Sequence, residues 1–137
     1  MLFRQSIVAI ASPELIAGKT LPLTERSIGE LPLLHDTHNL WPDFLRQTGI
    51  AVGARKRRNL HFSQTGLSVK AALAGQGIAL ASRFLVTNDL DTGRLLQVVA
   101  GDYSGAGDFY LLARREPQSS AVVVVREWLL SRSDPEA

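Results

Sequence analysis

Apolar positions in this chain come in short bursts whose period changes along the sequence. From Ile7 to Ala11 they are continuous, the pattern of a strand covered on both faces. Ser12 and Pro13 follow as a helix-start signature: a hydroxyl able to accept from free amides, then a proline where its missing N–H costs nothing. Gly18 closes this short turn or helix. Thr20 to Glu30 is polar and contains glycine, so it reads as a loop or short helix. Leu31–His35, LPLLH, predicts a strand with Pro32 near its start, where a lost donor is tolerated. NLWPDFLRQTG then takes up the 3.6-residue period, with Leu40, Phe44 and Leu45 on one face, Asn39 as cap, Pro42 in the first turn and Gly49 as stop. Ile50 to Val52 and NLHF read as short extended pieces. SQTGLSVKAALAG predicts a helix capped by Thr65, with Val69, Ala72 and Leu73 as its apolar stripe and Gly75 in the left-handed position that ends it.

Ile78 to Ala81 predicts a buried strand, and Ser82 the cap of a helix running to about Leu90. Gly93 turns the chain into strand RLLQVV, GDYSGAGD is a glycine-rich loop, and FYLLARR reads as a strand. Gln118 to Arg132 holds four consecutive valines, which favour a strand. Ala121, Val125 and Trp128, with Val122 and Leu129, nevertheless keep the helical period, and Ser119 or Ser120 can cap, so the segment reads as a helix. Strands and helices alternate, which predicts an α/β fold, a mainly parallel sheet with helices on its faces. Within it, AALAGQGIAL has a clear purpose. Ala71, Ala72 and Ala74 let a helix lie close on the sheet, and the Gly75–Gly77 turn returns the chain directly into a central strand.

Composition narrows the class. The 137 residues make one domain or a large piece of one, and 45% hydrophobic content supports a core. No apolar run approaches a membrane span. Cysteine is absent, which excludes disulfide and thiol chemistry and fits a reducing cytoplasm. Met1–Ser12 carries a cation at Arg4 and small residues further on, but its apolar run is too short for a signal peptide, and a buried strand is the better reading. The net charge is +2, with cations clustered at Arg55-Lys56-Arg57-Arg58. Without interleaved aromatics or a helix-turn-helix pattern around it, that cluster reads as a solvated loop, not a nucleic-acid contact.

Catalytic patterns are missing. His35-Asp36-Thr37-His38 offers two imidazoles and a carboxylate, but no motif places a third ligand and His61 is distant in sequence; a polar strand–helix loop is the plainer reading. Ser12, Ser63 and Ser82 lack a G-x-S-x-G setting. Gly75-Gln76-Gly77 follows a helix, so a dinucleotide fingerprint fails on context. Asp102 and Asp108 flank a glycine loop without forming an acid–base pair. The reading is a non-enzyme that uses no cofactor and no metal.

VAIASPELIAG, LPLLH with a following tryptophan helix, HFSQTGLSVKAALAGQGIALASRFLVTNDLDTGRLLQVV, FYLLARR and VREWLL, in this order over about residues 7 to 132, resemble the effector-binding domain of LysR-type transcriptional regulators. The most specific part is Ala71-Ala72 with Gly75-Gln76-Gly77-Ile78-Ala79-Leu80, then Asp89-Leu90 and Gly93-Arg94-Leu95. The details are nearest to the subgroup holding the glycine-cleavage activator and the β-lactamase regulators. Ser82 stands where many members have proline, and Ser63 where this subgroup is often acidic.

The resemblance implies a periplasmic-binding-protein-like (type 2) fold. Residues 12–107 would form the second lobe. Residues 1–11 and 108–137 would be cross-strands and a C-terminal helix belonging to a first lobe that is mostly missing, and no helix-turn-helix or linker helix is expected in this chain. It further implies a small anionic or polar effector held in the inter-lobe cleft by His35, Asp36, Thr37, Phe62, Ser63, Gln64, Thr65 and Tyr110. Selective DNA binding would need the helix-turn-helix. Homodimerisation through Val122, Val125 and Trp128 is expected because their apolar face would lack its usual cover. The competing expectations are an exported solute-binding lobe serving transport and a metal-dependent enzyme using His35 and His38.

Overall fold

The Ile7–Ala11 run is continuous because its strand is flanked on both sides. In the computed structural model, which describes residues 1–51, 58–104, 107–115 and 119–133, β1 (Ser6–Ala11) pairs antiparallel with β4 (Ile78–Ser82) and with β5 (Leu96–Gln97). On the other side of β4 lie β2 (Leu33–His35) and then β3 (Leu60–His61), all parallel, giving the order β3-β2-β4-β1-β5. Tyr103 begins the short strand β6 (Tyr103–Ser104), which pairs with β1 off this path. The sheet is therefore mixed, not mainly parallel: parallel pairing is confined to β2, β3 and β4. The helical crossovers explain the parallel part, and β1, which enters from the opposite edge, explains the rest.

The helices are α1 (Glu25–Glu30), α2 (Trp41–Thr48), α3 (Thr65–Leu73), α4 (Arg83–Asp91) and α5 (Ser120–Ser131). From β2 the chain steps outward through α2 to β3, then returns past β2 through α3 to β4. Right-handed crossovers in opposite directions place α2 and α3 on opposite faces of the sheet. Val8, Ile10, Leu34, Ala71, Ala72, Ala79, Ala81, Val86 and Leu95 form a buried core, so α3 is held by Ala71 and Ala72, while Ala74, expected to share this role, is exposed at the helix end. Ser12-Pro13 opens a run of turns and no helix. Ser12 Oγ still accepts from the Leu15 amide at 3.3 Å, and Gly18 takes φ +76°.

Several local expectations are corrected. Asn39 does not cap α2. It adopts φ +50°, and Leu40 is the flanking residue, without a side-chain bond. The buried pair on α2 is Trp41 and Phe44, with Leu40 and Leu45 half-buried. Thr65 does not cap α3 either; it is the first helical residue, Gln64 precedes it as the cap, and the Thr65 hydroxyl is used elsewhere. FYLLARR is not a strand. Phe109 makes an isolated bridge to Phe3, their rings stacked at 4.5 Å, and no further ladder follows among the described residues. β-propensity supplies no partner, and Leu112 beyond the bridge is 90% exposed. RLLQVV likewise narrows to Leu96–Gln97.

Two compact units divide the chain: Ser6–Tyr103, and Met1–Gln5 with Ser104–Ala137. The larger holds the sheet. In the smaller, α5 forms as its period predicts, and none of its residues is buried. Of the basic run, Arg58 is exposed, while Arg55, Lys56 and Arg57 lie outside the described residues.

Candidate functional site

The parallel strands β2, β3 and β4 all end on one edge of the sheet. β1 contributes to the same edge because it starts there, and β5, antiparallel to it, runs toward that edge. In open α/β sheets the loops beyond the strand C-termini form the crevice where ligands sit, since backbone amides and helix starts converge there. Two polar clusters occupy this edge.

The first joins the loop after β2 to the start of α3. Thr65 Oγ1 donates to Asp36 Oδ2 at 2.6 Å. Asp36 Oδ1 accepts from the His38 amide at 2.9 Å, which folds the loop back on itself. His38 Nδ1 lies 3.4 Å from Asp36 Oδ2 and 3.5 Å from Thr65 Oγ1. The Asp36 side chain is only 10% exposed, whereas that of His38 is 64% exposed. The carboxylate is thus a nearly enclosed hub, and the imidazole is its solvent-facing partner. Below it, register pairs His35 with His61, and their rings stack at 4.8 Å. Trp41 Nε1–H donates to the Leu34 carbonyl at 2.8 Å from a buried position, which pins the end of β2 to α2. The Phe62 amide donates to the His35 carbonyl at 2.8 Å.

Of the residues expected to bind ligand, the structure therefore brings together His35, Asp36, Phe62 and Thr65. Thr37, Ser63 and Gln64 are exposed in the loops around them. Tyr110 belongs to the smaller unit, where it is 61% exposed. His38, a candidate only in the metal reading, and His61, too distant in sequence to place, join this set. The readable signal was the shared ending of the strands, Leu34-His35 and Leu60-His61, which puts the imidazoles side by side once the strands are parallel neighbours. Among the described residues no group of three or more His, Asp or Glu side chains could hold a metal ion.

The second cluster was invisible in sequence because its members are far apart. Arg83 Nη2 donates to Asp102 Oδ1 at 2.9 Å and to Gln97 Oε1 at 2.7 Å. Arg83 Nε donates to Asp102 Oδ2 at 3.2 Å, and Ser6 Oγ donates to the same oxygen. Partial burial pushes the Asp102 carboxyl up, but hydrogen bonds from Arg83 and Ser6, the Arg83 charge and the Gln97 amide outweigh it and hold the group below the ordinary aspartate value of 3.8. A carboxyl lowered on folding stabilises the fold above its unfolded value. That contribution fades as pH falls through the lower folded value.

The family model described as the LysR substrate binding domain matches residues 1–134. The glycine cleavage system transcriptional activator of Escherichia coli (strain K12) is 25% identical over 137 residues, covering 98% of this chain and 45% of the relative. Its homolog from Haemophilus influenzae is also 25% identical, covering 95% of this chain and 43% of that protein. The chain thus spans less than half the length of the curated relatives it matches. The effector domain of AmpR of Pseudomonas aeruginosa superposes with a TM-score of 0.75 at 24% identity, covering 95% of this chain and 62% of that one. Full-length AphB of Vibrio cholerae gives 0.70 at 20%, covering 97% and 46%. The structural likenesses carry the fold alone.

Proposed function

This chain belongs to the LysR substrate-binding domain family, and on that premise we propose that it binds a small polar or anionic effector at the β2–α3 edge of its sheet. The observation that carries the reading is the Thr65–Asp36 hydrogen bond. It ties the loop after β2 to the first turn of α3 where an open sheet takes its ligands. His35, Thr37, Phe62, Ser63 and Gln64 complete the proposed set on the larger unit, and Tyr110 is a separate candidate on the smaller. The chain acts as a binding module and not a catalyst, works in the cytoplasm, and leaves DNA recognition to a helix-turn-helix that its described residues do not form. Among those residues no helix is long and apolar enough to cross a membrane. In the proposed division, residues 12–107 are the second lobe and residues 1–11 and 108–137 belong to the first.

The test is a thermal-shift screen of small carboxylates, phosphates and uncharged polar metabolites. A hit at about 100 times its Kd should add about 2.7 kcal/mol of stability. Retested by calorimetry, Thr65→Val and Asp36→Asn should each weaken the hit about tenfold or more, the cost of a buried polar partner left unmatched. Unchanged affinity in both variants would move the ligand elsewhere.

We further propose that α5 pairs with a second copy. Val122, Val125 and Trp128 are 48%, 56% and 57% exposed, an apolar stripe rarely left in water. Arg132 lies over the Trp128 ring at 5.4 Å, which covers part of it. Trp128→Glu should raise the self-association Kd about tenfold or more by placing an unpaired charge in an apolar contact. Light scattering that finds a monomer at every accessible concentration would refute the pairing.

A further inference from the structure

The chain passes between its two compact units twice, at Gln5–Ser6 and at Tyr103–Ser104. Both crossings adjoin one side-chain cluster that lies wholly inside the larger unit. Ser6, the first residue of that unit, donates its hydroxyl to Asp102, and Asp102 directly precedes Tyr103, the last residue. A third element then closes the cluster. Arg83, at the start of α4, grips both oxygens of Asp102 with Nε and Nη2 at 2.9 to 3.2 Å.

Arg83 is out of place by local rules. A cation in the first turn of a helix opposes the helix dipole, and the first turn of α4 has no acidic residue to offset it. A residue that breaks a local preference is commonly held by a requirement elsewhere, and here that requirement is the fork on Asp102. Gln97 positions both partners. Its Oε1 accepts from Arg83 at 2.7 Å, while its Nε2 donates to Asp102 at 3.1 Å and to the Val99 and Gly101 carbonyls at 3.2 and 3.3 Å. The loop from β5 to the second crossing is thereby fixed in the shape that presents Asp102 to Ser6.

We propose that Arg83 and Asp102 form a clasp that binds the two crossing segments into one mechanical element, so that neither crossing loosens without the other. A guanidinium suits the role because its planar fork engages both carboxylate oxygens at once. A change at either crossing is then transmitted to α4 and β5, and breaking the fork loosens both crossings, leaving the β1–β6 pairing as their remaining tie. This device is independent of where the effector binds.

Amide hydrogen exchange on the whole chain tests it. Arg83→Met keeps the aliphatic stem and removes the fork, and Asp102→Asn keeps the shape and removes the charge. In each, exchange at residues 6–7 and at residues 102–103 should rise together, by roughly threefold to tenfold, while β2 and β3 keep their protection. Arg94→Met breaks a comparable ion pair, to Asp89 at 2.6 Å, and should leave both crossings unchanged. A rise at one crossing only, at neither, or uniformly through the unit would overturn the clasp. If Arg83→Met does not fold, Asp102→Asn decides by the same readout.

Discussion

Gly77→Ala is expected to destabilise the larger unit by about 2–3 kcal/mol, the cost of overpacking in a core that cannot move aside. A methyl group on Gly77 would lie 2.6 Å from the Pro32 carbonyl oxygen and 2.8 Å from Leu34 Cδ2. The first of these is backbone, and it already accepts the Ile78 amide at 2.9 Å in the junction between β2 and β4. Relieving the clash would therefore break a main-chain bond between two central strands. Gly75 differs: at φ +74° it is a glycine for its backbone conformation, with only Ser12 Oγ at 3.5 Å from an added carbon. The two glycines of the turn thus serve separate needs, one to reverse the chain and one to let it pass close to its neighbour. Urea denaturation followed by circular dichroism measures the effect, and a loss below about 0.5 kcal/mol would show that β2 yields more readily than its pairing suggests.

Trp41→Ala should cost still more, about 3–5 kcal/mol, as large-to-small replacements of buried aromatics do. Trp41 is 3% exposed, packs edge-on against Phe44 at 5.8 Å, and supplies the indole bond to the Leu34 carbonyl. Removing it opens a cavity, leaves that carbonyl without its donor and releases the end of β2 that carries His35 and Asp36. Trp41→Phe separates the parts, since it retains most of the packing and loses the N–H, for about 1 kcal/mol. Because whole domains are stable by only about 5–15 kcal/mol, the alanine variant should lose the geometry of the β2–α3 edge well before its midpoint. Equal midpoints for the two variants would show that the ring itself contributes little.

The elements that were legible are those whose pattern is set by burial. β1 and β4 are continuous apolar runs because they lie inside the sheet, and α2, α3 and α5 keep a helical period. What failed was decided by partners. Thr65 was an obvious cap by type, but it is the first residue of α3 and its hydroxyl donates to Asp36, 29 residues earlier. Asn39 was an obvious cap as well, but the loop folded by Asp36 leaves it at positive φ. FYLLARR had strand propensity and, among the described residues, only Phe3 to pair with. At the site, Asp36, Thr65 and Phe62 entered through a family resemblance. The stacked histidines needed strand register, and the Arg83–Asp102 cluster needed the folded chain, since no spacing links residues 6, 83, 97 and 102.

The placement of the two tryptophans has a practical consequence. One is enclosed in the larger unit and the other is exposed in the smaller. The chain therefore carries an intrinsic fluorophore in each unit, the first emitting as in an apolar medium and the second as in water while the chain is monomeric. An aqueous quencher such as iodide would silence Trp128 in the monomer and spare Trp41, and pairing through α5 would shield Trp128. The melting of either unit can then be followed by its own emission, without a label, in the unmodified protein.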